Sequence, residues 1–401
     1  MIKSIGRIKQ RLKNRILGGR KETLEVLLTR YSAEEVRDIL VKRAEKKKKQ
    51  DIEDLANYYL RCGDMDDARK ILELYQLQKS VVYAKAVIAA GGHISDVIDF
   101  HLAQRGKLPK QIARILAKGI KNDKDKEKLQ AVVLKGGSIS EEKSIWRLRV
   151  IGQAARCAGD YTDSLAAYRK AFQHAKSTYA DNLREKTPQS RLMNSLTKES
   201  FNSKLAWQAL NDFSSLAAPG WFVDAGTLLG FVREGDFLKH DYDLDLGMVD
   251  PGAFHQTIEN LTASPLFEVK PKRVYEVVKV KHANGVDLDI FLYQQVGDIM
   301  YKESHVYRWE FGLFEPEIRQ FGEVTLPVPS NPEKHLEETY GDWWVQRKGF
   351  DGRYDANNVS FPNLDELECV LLNKAIIALQ KGELETFEKE TRMLQRIGRL
   401  L

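Results

Sequence analysis

The stretch GWFVDAGTLLGFVREGDFLKHDYDLDLGMVD, Gly220 to Asp250, decides the reading of this chain. Asp241, Asp243 and Asp245 stand at alternate positions, and side chains of an extended segment repeat every two residues, so all three share one face. Three like charges on one strand face repel unless a cation lies among them. An oxygen-only cluster suits Mg²⁺ or Mn²⁺, which bind carboxylates together with substrate phosphates. The alternative is the solvated face of an edge strand, but Leu244, Leu246 and Met248 fill the intervening positions and make the opposite face fit for burial. Upstream, Trp221-Phe222-Val223 reads as a short buried strand ending at Asp224. Ala225-Gly226-Thr227 then turns into Leu228-Leu229-Gly230, offering backbone N–H groups and a hydroxyl at the mouth of a helix, where aligned dipoles stabilise a phosphate. The expected site is a metal-dependent centre for phosphoryl or nucleotidyl transfer.

GTLLGFVREGDFLKHDYDLDLGM resembles the signature of LicD/fukutin-type transferases: GTLLG, then Arg, an Asp-rich run, and a hydrophobic-Gly-Met close. His240 stands where that family usually has Trp and Tyr242 where it often has a middle Asp. The likeness continues in VDLDIFLY (Val286–Tyr293) and LPVPSNPEKHLEETYGDWW (Leu326–Trp344), and so covers about the last two hundred residues. It implies a nucleotidyltransferase-like fold and transfer of a phospho-substituent from a CDP-activated donor onto a glycan. In polymerase-β-like transferases, which the family resembles in architecture, two acids on one strand and one on a neighbour hold a pair of metals across an in-line displacement.

That resemblance assigns Asp243 and Asp245 as the strand pair. Asp289 becomes the third carboxylate and the acceptor of the hydroxyl proton, with Asp287 on the same strand face as its rival. Asp241 is an auxiliary ligand or orients one. Arg233 matches the family Arg and suits bidentate contact with a phosphate, against a surface pair with Glu234 or Asp236. Gly226 and Thr227 hold donor phosphate. Lys279 and Lys281 alternate on one strand and face either the donor diphosphate or solvent. His240 contacts base or phosphate, or is structural. Tyr340 and Trp343, with Trp344, close a helix over Glu333–Tyr340 as an aromatic wall for a sugar or cytosine ring, or pack on the sheet.

With 401 residues, 43% hydrophobic and 30% charged, the chain can bury cores for two domains. It has no run of eighteen or more apolar residues and no apolar signal core at its start, so a soluble cytoplasmic protein is expected. Cys62, Cys157 and Cys369 are widely spaced, which fits structural thiols in a reducing compartment. The net charge of +6 is concentrated at the front. MIKSIGRIKQRLKNRILGGRK carries no acid before Glu22, and Ile2, Ile5, Ile8, Leu12 and Ile16 recur at helical steps among Lys and Arg. A basic amphipathic helix over residues 1–30 would lie on an anionic membrane at the cytoplasmic face, each cation contributing about 1 kcal/mol. Docking on its own domain and mitochondrial targeting are the other readings. The Lys46–Lys49 run lacks interleaved aromatics, so nucleic acid is not an expected partner.

Residues 31–180 read as helical throughout. DLANYYLRCGDMDDARKILELYQ (Asp54–Gln76) and VIGQAARCAGDYTDSLAAYRKAFQHAK (Val150–Lys176) both place Arg-Cys and Gly-Asp between two helical stripes, a pattern that resembles tetratricopeptide repeats. Such repeats would dock a protein or acceptor chain, or serve as a spacer. A polar linker over 181–200, including Pro188, leads to a catalytic domain over 201–401. There, Ala283-Asn284-Gly285 joins two strands as a hairpin. The fold class is thus α+β: a nucleotidyltransferase-like, polymerase-β-like mixed sheet with flanking helices, preceded by an all-α helical-repeat domain. The expected function is transfer of a polyol phosphate or phosphocholine from a CDP-activated donor to a glycan hydroxyl, as in bacterial capsule, lipopolysaccharide or teichoic-acid assembly. NMP transfer from an NTP to a sugar phosphate or protein is a second reading, and a repeat scaffold with a degenerate transferase domain a third.

Overall fold

Polar N-caps and left-handed glycines divide the first part of the chain into helices. The computed structural model describes residues 22–28, 30–135, 141–184, 202–239, 241, 243–269, 277–304, 306–347 and 350–399. The expected basic helix up to residue 21, most of the linker, and His240 lie outside the described residues. The helices are α1 (Leu24–Leu28), α2 (Ala33–Ala44), α3 (Lys49–Arg61), α4 (Met65–Leu74), α5 (Val81–Ala89), α6 (Ile94–Arg105), α7 (Lys110–Gly119), α8 (Asp123–Leu134), α9 (Glu141–Ala158) and α10 (Tyr161–Tyr179). Ser32 opens α2 with a capping box completed by Glu35, and the side chains of Ser80, Asn122 and Asp160 cap α5, α8 and α10. Gly63 and Gly159 sit at φ 77° and 83° between α3 and α4 and between α9 and α10, the two hairpins that carry the internal repeat.

The second part alternates strands and helices: α11 (Ser203–Leu216), β1 (Trp221–Val223), α12 (Ala225–Glu234), β2 (Asp243–Met248), α13 (Pro251–Ala263), β3 (Phe267–Val269), β4 (Val277–His282), β5 (Asp287–Val296), β6 (Ile299–Ser304), β7 (Tyr307–Gly312), β8 (Pro316–Phe321), β9 (Val324–Pro329), α14 (Pro332–Tyr340), β10 (Val359–Ser360), α15 (Leu364–Lys381) and α16 (Leu384–Arg396). One mixed sheet runs β1-β2-β5-β6-β7-β10, with β4 also on β5 and β3 beyond it; β8 and β9 form a separate hairpin. Among the described strands, only β2 and β5 pair in parallel. Leu244, Leu246, Leu288 and Ile290 bury the face away from the acids together with Leu210 and Phe213 of α11. The chain is therefore a mixed α+β structure behind an all-helical region.

Gly247 is needed for this packing. A Cβ there would lie 2.3 Å from the Phe222 ring of β1, closer than any side chain can approach. Gly247→Ala is expected to lower unfolding free energy by about 1–3 kcal/mol through overpacking, read as a lower urea midpoint.

The helical region is seated on the rest at two places. Tyr168, Phe172 and Ala175 of α10 share a core with Leu371, Leu372 and Ile376 of α15. At its rim Arg169 binds the fully buried Glu368 with two hydrogen bonds of 2.7 and 2.9 Å, and Arg156 and Tyr161 hold Glu366. At the sheet edge, Arg61 of α3 reaches Glu268 of β3 at 3.2 Å.

Candidate active site

Parallel pairing of β2 with β5 sets Asp243 opposite Asp287 and Asp245 opposite Asp289. Directly paired residues point to the same side of a sheet, so the acids of both strands gather on one face. Asp243, Asp245 and Asp289 each bring a carboxylate oxygen within 4.8 Å of the others. Asp287, the rival for third position, lies outside this trio and pairs with Lys281 at 3.4 Å. Asp241 precedes the strand and also lies outside the trio, against Gly226.

The trio strains against its own charge. Burial and Asp289 raise the Asp243 carboxyl above the usual range. Burial, with Asp243, Asp241 and Asp289, pushes Asp245 well above it. Lys279 answers part of this by contacting Asp289 across the β4–β5 pair. Three clustered oxygen donors in a buried, repulsive setting fit a hard divalent cation, and the set contains no sulfur or imidazole that would favour a softer one.

Asp245 is aimed from α12. The Gly226 N–H donates to Asp245 Oδ2 at 3.1 Å, and the Asp245 N–H donates to Thr227 Oγ1 at 2.9 Å. The sequence pattern pointed these groups at a donor phosphate; in the structure the Gly226 N–H meets the Asp245 carboxylate and the buried Thr227 hydroxyl accepts from the Asp245 backbone N–H. A Cβ at Gly226 would meet Asp241 Oδ2 at 2.5 Å and Asp245 Oδ2 at 3.3 Å, so any side chain there would displace these carboxylates.

Beside the trio lies a cavity of about 800 Å³ lined by Gly226, Asp241, Arg233, Tyr340, Trp343 and Phe350. Arg233 donates to the Trp343 carbonyl at 3.4 Å and pairs with Glu234 at 2.9 Å, so its planar head is held at the wall. Tyr340 leans on Phe350, ring centroids 4.9 Å apart, and burial with nearby Asp245 and Asp224 raises its hydroxyl well above the usual phenol range. If the cavity takes a phosphate-bearing substrate, Arg233→Ala is expected to raise its KM about tenfold with the melting temperature kept, as loss of a charge-assisted contact predicts.

Sequence reasoning missed a second charged cluster beneath the trio. Asp224 is fully buried; its Oδ2 accepts from Tyr293 at 2.9 Å and Lys302 at 2.5 Å, and its Oδ1 faces His335 Nε2 at 3.3 Å. Burial would raise this carboxyl, but Lys302 and His335 prevail and hold it well below the usual range. The one available signal was an Asp directly before a helix start, an N-cap position.

Residues 220–331 match the LicD/FKTN/FKRP family, nucleotidyltransferase domain. This chain carries a LicD/FKTN/FKRP domain. The matched segment contains β1, α12, β2 and β5, and therefore every member of the trio. A protein of Rickettsia typhi described as uncharacterized is 26% identical over 129 residues, 31% of this chain and 40% of that protein. One of Rickettsia prowazekii, described likewise, is 26% identical over 132 residues, 31% of this chain and 48% of that protein. The chain thus spans under half the length of these curated relatives. Tyr340 and Trp343 fall just beyond the matched LicD/FKTN/FKRP segment, on α14 and the turn after it. Among the described residues, no helix is long and apolar enough to cross a membrane.

Proposed function

We propose that this protein is a metal-dependent transferase that moves a phospho-linked group, of the polyol phosphate or phosphocholine type, from a CDP-activated donor to a glycan hydroxyl, with CMP leaving. The observation that carries the reading is the meeting of Asp243, Asp245 and Asp289 at one point beside a cavity walled by Arg233. Asp243, Asp245 and Asp289 would hold Mg²⁺ or Mn²⁺, which when bound neutralises a diphosphate and lowers the barrier to its cleavage. Arg233 orients the donor phosphates from the wall, and Tyr340 and Trp343 flank its sugar or base. Lys279 and Lys281, paired with Asp289 and Asp287, are cations within reach of the same diphosphate. Asp289, the trio member on the neighbouring strand, accepts the proton of the attacking hydroxyl. In this reading the protein works at the cytoplasmic face of a membrane, in surface-polysaccharide assembly, and the helical region offers a surface to acceptor or protein partners.

The test is mass spectrometry of products formed with Mg²⁺ or Mn²⁺ from a panel of CDP-activated donors and from ATP, CTP and UTP. CMP released from a CDP-linked compound is the expected result. Pyrophosphate released from an NTP, with no turnover of CDP donors, would replace this reading with nucleotidyl transfer.

A further inference from the structure

Asp224 has more partners than a helix cap requires. Its Oδ1 accepts from the Ala225 N–H at 2.7 Å and faces His335, while Oδ2 is taken by Tyr293 and Lys302, so three separate elements, β5, β6 and α14, converge on one side chain. Its backbone is equally committed. The Asp224 N–H donates to the Asp245 carbonyl at 2.9 Å, and its carbonyl accepts the first helical bond of α12 from Leu228 at 2.9 Å. Ala225, next in line, is held at φ 40°, in the left-handed region that a residue with a Cβ avoids unless its surroundings fix it there. One and two residues further on come the Gly226 N–H and the Thr227 hydroxyl that grip Asp245.

We infer that the buried cluster of Asp224 with Lys302 and Tyr293 is a positioning device for the catalytic trio: it pins the entry of α12 in its unrelaxed conformation so that Gly226 and Thr227 aim Asp245 at the point where Asp243 and Asp289 meet. A well-packed apolar pair would stabilise such a site as well as a buried ion pair does, so stability alone does not account for these charges. Lys302 itself is buried and enclosed by rings, 4.6 Å from the Phe291 centroid and 5.4 Å from that of Tyr293, and its ammonium is committed to Asp224. Its influence passes through Asp224. The inference rests on the reading of the trio as a metal centre.

The experiment is Mn²⁺ titration of the full chain, followed by electron paramagnetic resonance of free Mn²⁺, with a thermal melt of each protein. In Asp224→Asn/Lys302→Met both charges go together, and the amide keeps its acceptor oxygen at only one of the two places where the Ala225 N–H and the Tyr293 hydroxyl meet Asp224. This variant is expected to melt cooperatively and to bind Mn²⁺ about tenfold more weakly than the parent. Tyr293→Phe removes one anchor and keeps the charge pair; about a threefold loss is expected, and this variant decides the matter if the double variant does not fold. Arg169→Ala, destabilised at the distant α10–α15 seam, is expected to keep the parent's affinity, and an equal loss there would overturn the inference because affinity would then merely follow stability. Parent affinity in the folded double variant, or in Tyr293→Phe where only that one folds, would overturn it too. An Asp243→Asn protein that binds Mn²⁺ like the parent would instead sink the metal reading beneath it.

Discussion

Asp245→Asn is expected, under the proposed function, to slow CMP release from a CDP-activated donor by roughly a thousandfold or more, while the protein becomes harder to unfold. Both effects come from the same charge. Asp245 clusters with Asp243 and Asp289, and its oxygen is fixed by Gly226, so loss of its negative charge removes a well-oriented ligand of the trio. The stability effect has a definite sign. Burial and the neighbouring acids raise the Asp245 and Asp243 carboxyls, so without metal the folded state holds more protons than the unfolded state. Stability in EDTA therefore falls as pH rises from about 3.9, the unfolded carboxylate value, through the raised folded values. Above the raised folded values the full penalty is present in the parent and partly relieved in the variant. Thermal melts in EDTA check this, and a variant that melts lower than the parent above those values would contradict it.

Lys302→Met alone should cost about 3–5 kcal/mol, because the fully buried Asp224 then loses its ammonium partner. Urea denaturation is the readout. Adding Asp224→Asn should restore much of the loss, since both charges are then gone. A single variant as stable as its parent would mean that Tyr293 and His335 suffice to carry the charge.

The trio was legible because its parts are local. Asp243 and Asp245 repeat at the strand period, the alternate residues Leu244, Leu246 and Met248 are buried, and Asp289 follows a turn whose Gly285 has φ 100°. The helical hairpins were legible from Gly63 and Gly159 for the same reason. Pairing partners across the fold were not. Lys302 and His335 lie 78 and 111 residues from Asp224, and neither sits in a spacing that marks it. YKESHVYRW reads only as an alternating strand. The choice between Asp287 and Asp289 also needed register, because both occupy one strand face and only the pairing with β2 sets Asp289 beside Asp245. Gly226 and Thr227 show a different limit: a pattern reveals that N–H and hydroxyl groups converge at a helix mouth, and not that both are taken up by Asp245, one by its carboxylate and one by its backbone N–H.

The seam between α10 and α15 bears on how the molecule is made. On a ribosome, Tyr168 and Phe172 emerge long before Leu371 and Ile376, the residues that cover them. Until residues 364–379 have been translated, the oily flank of α10 lacks the cover that α15 gives it, so these long-range contacts are among the last to close.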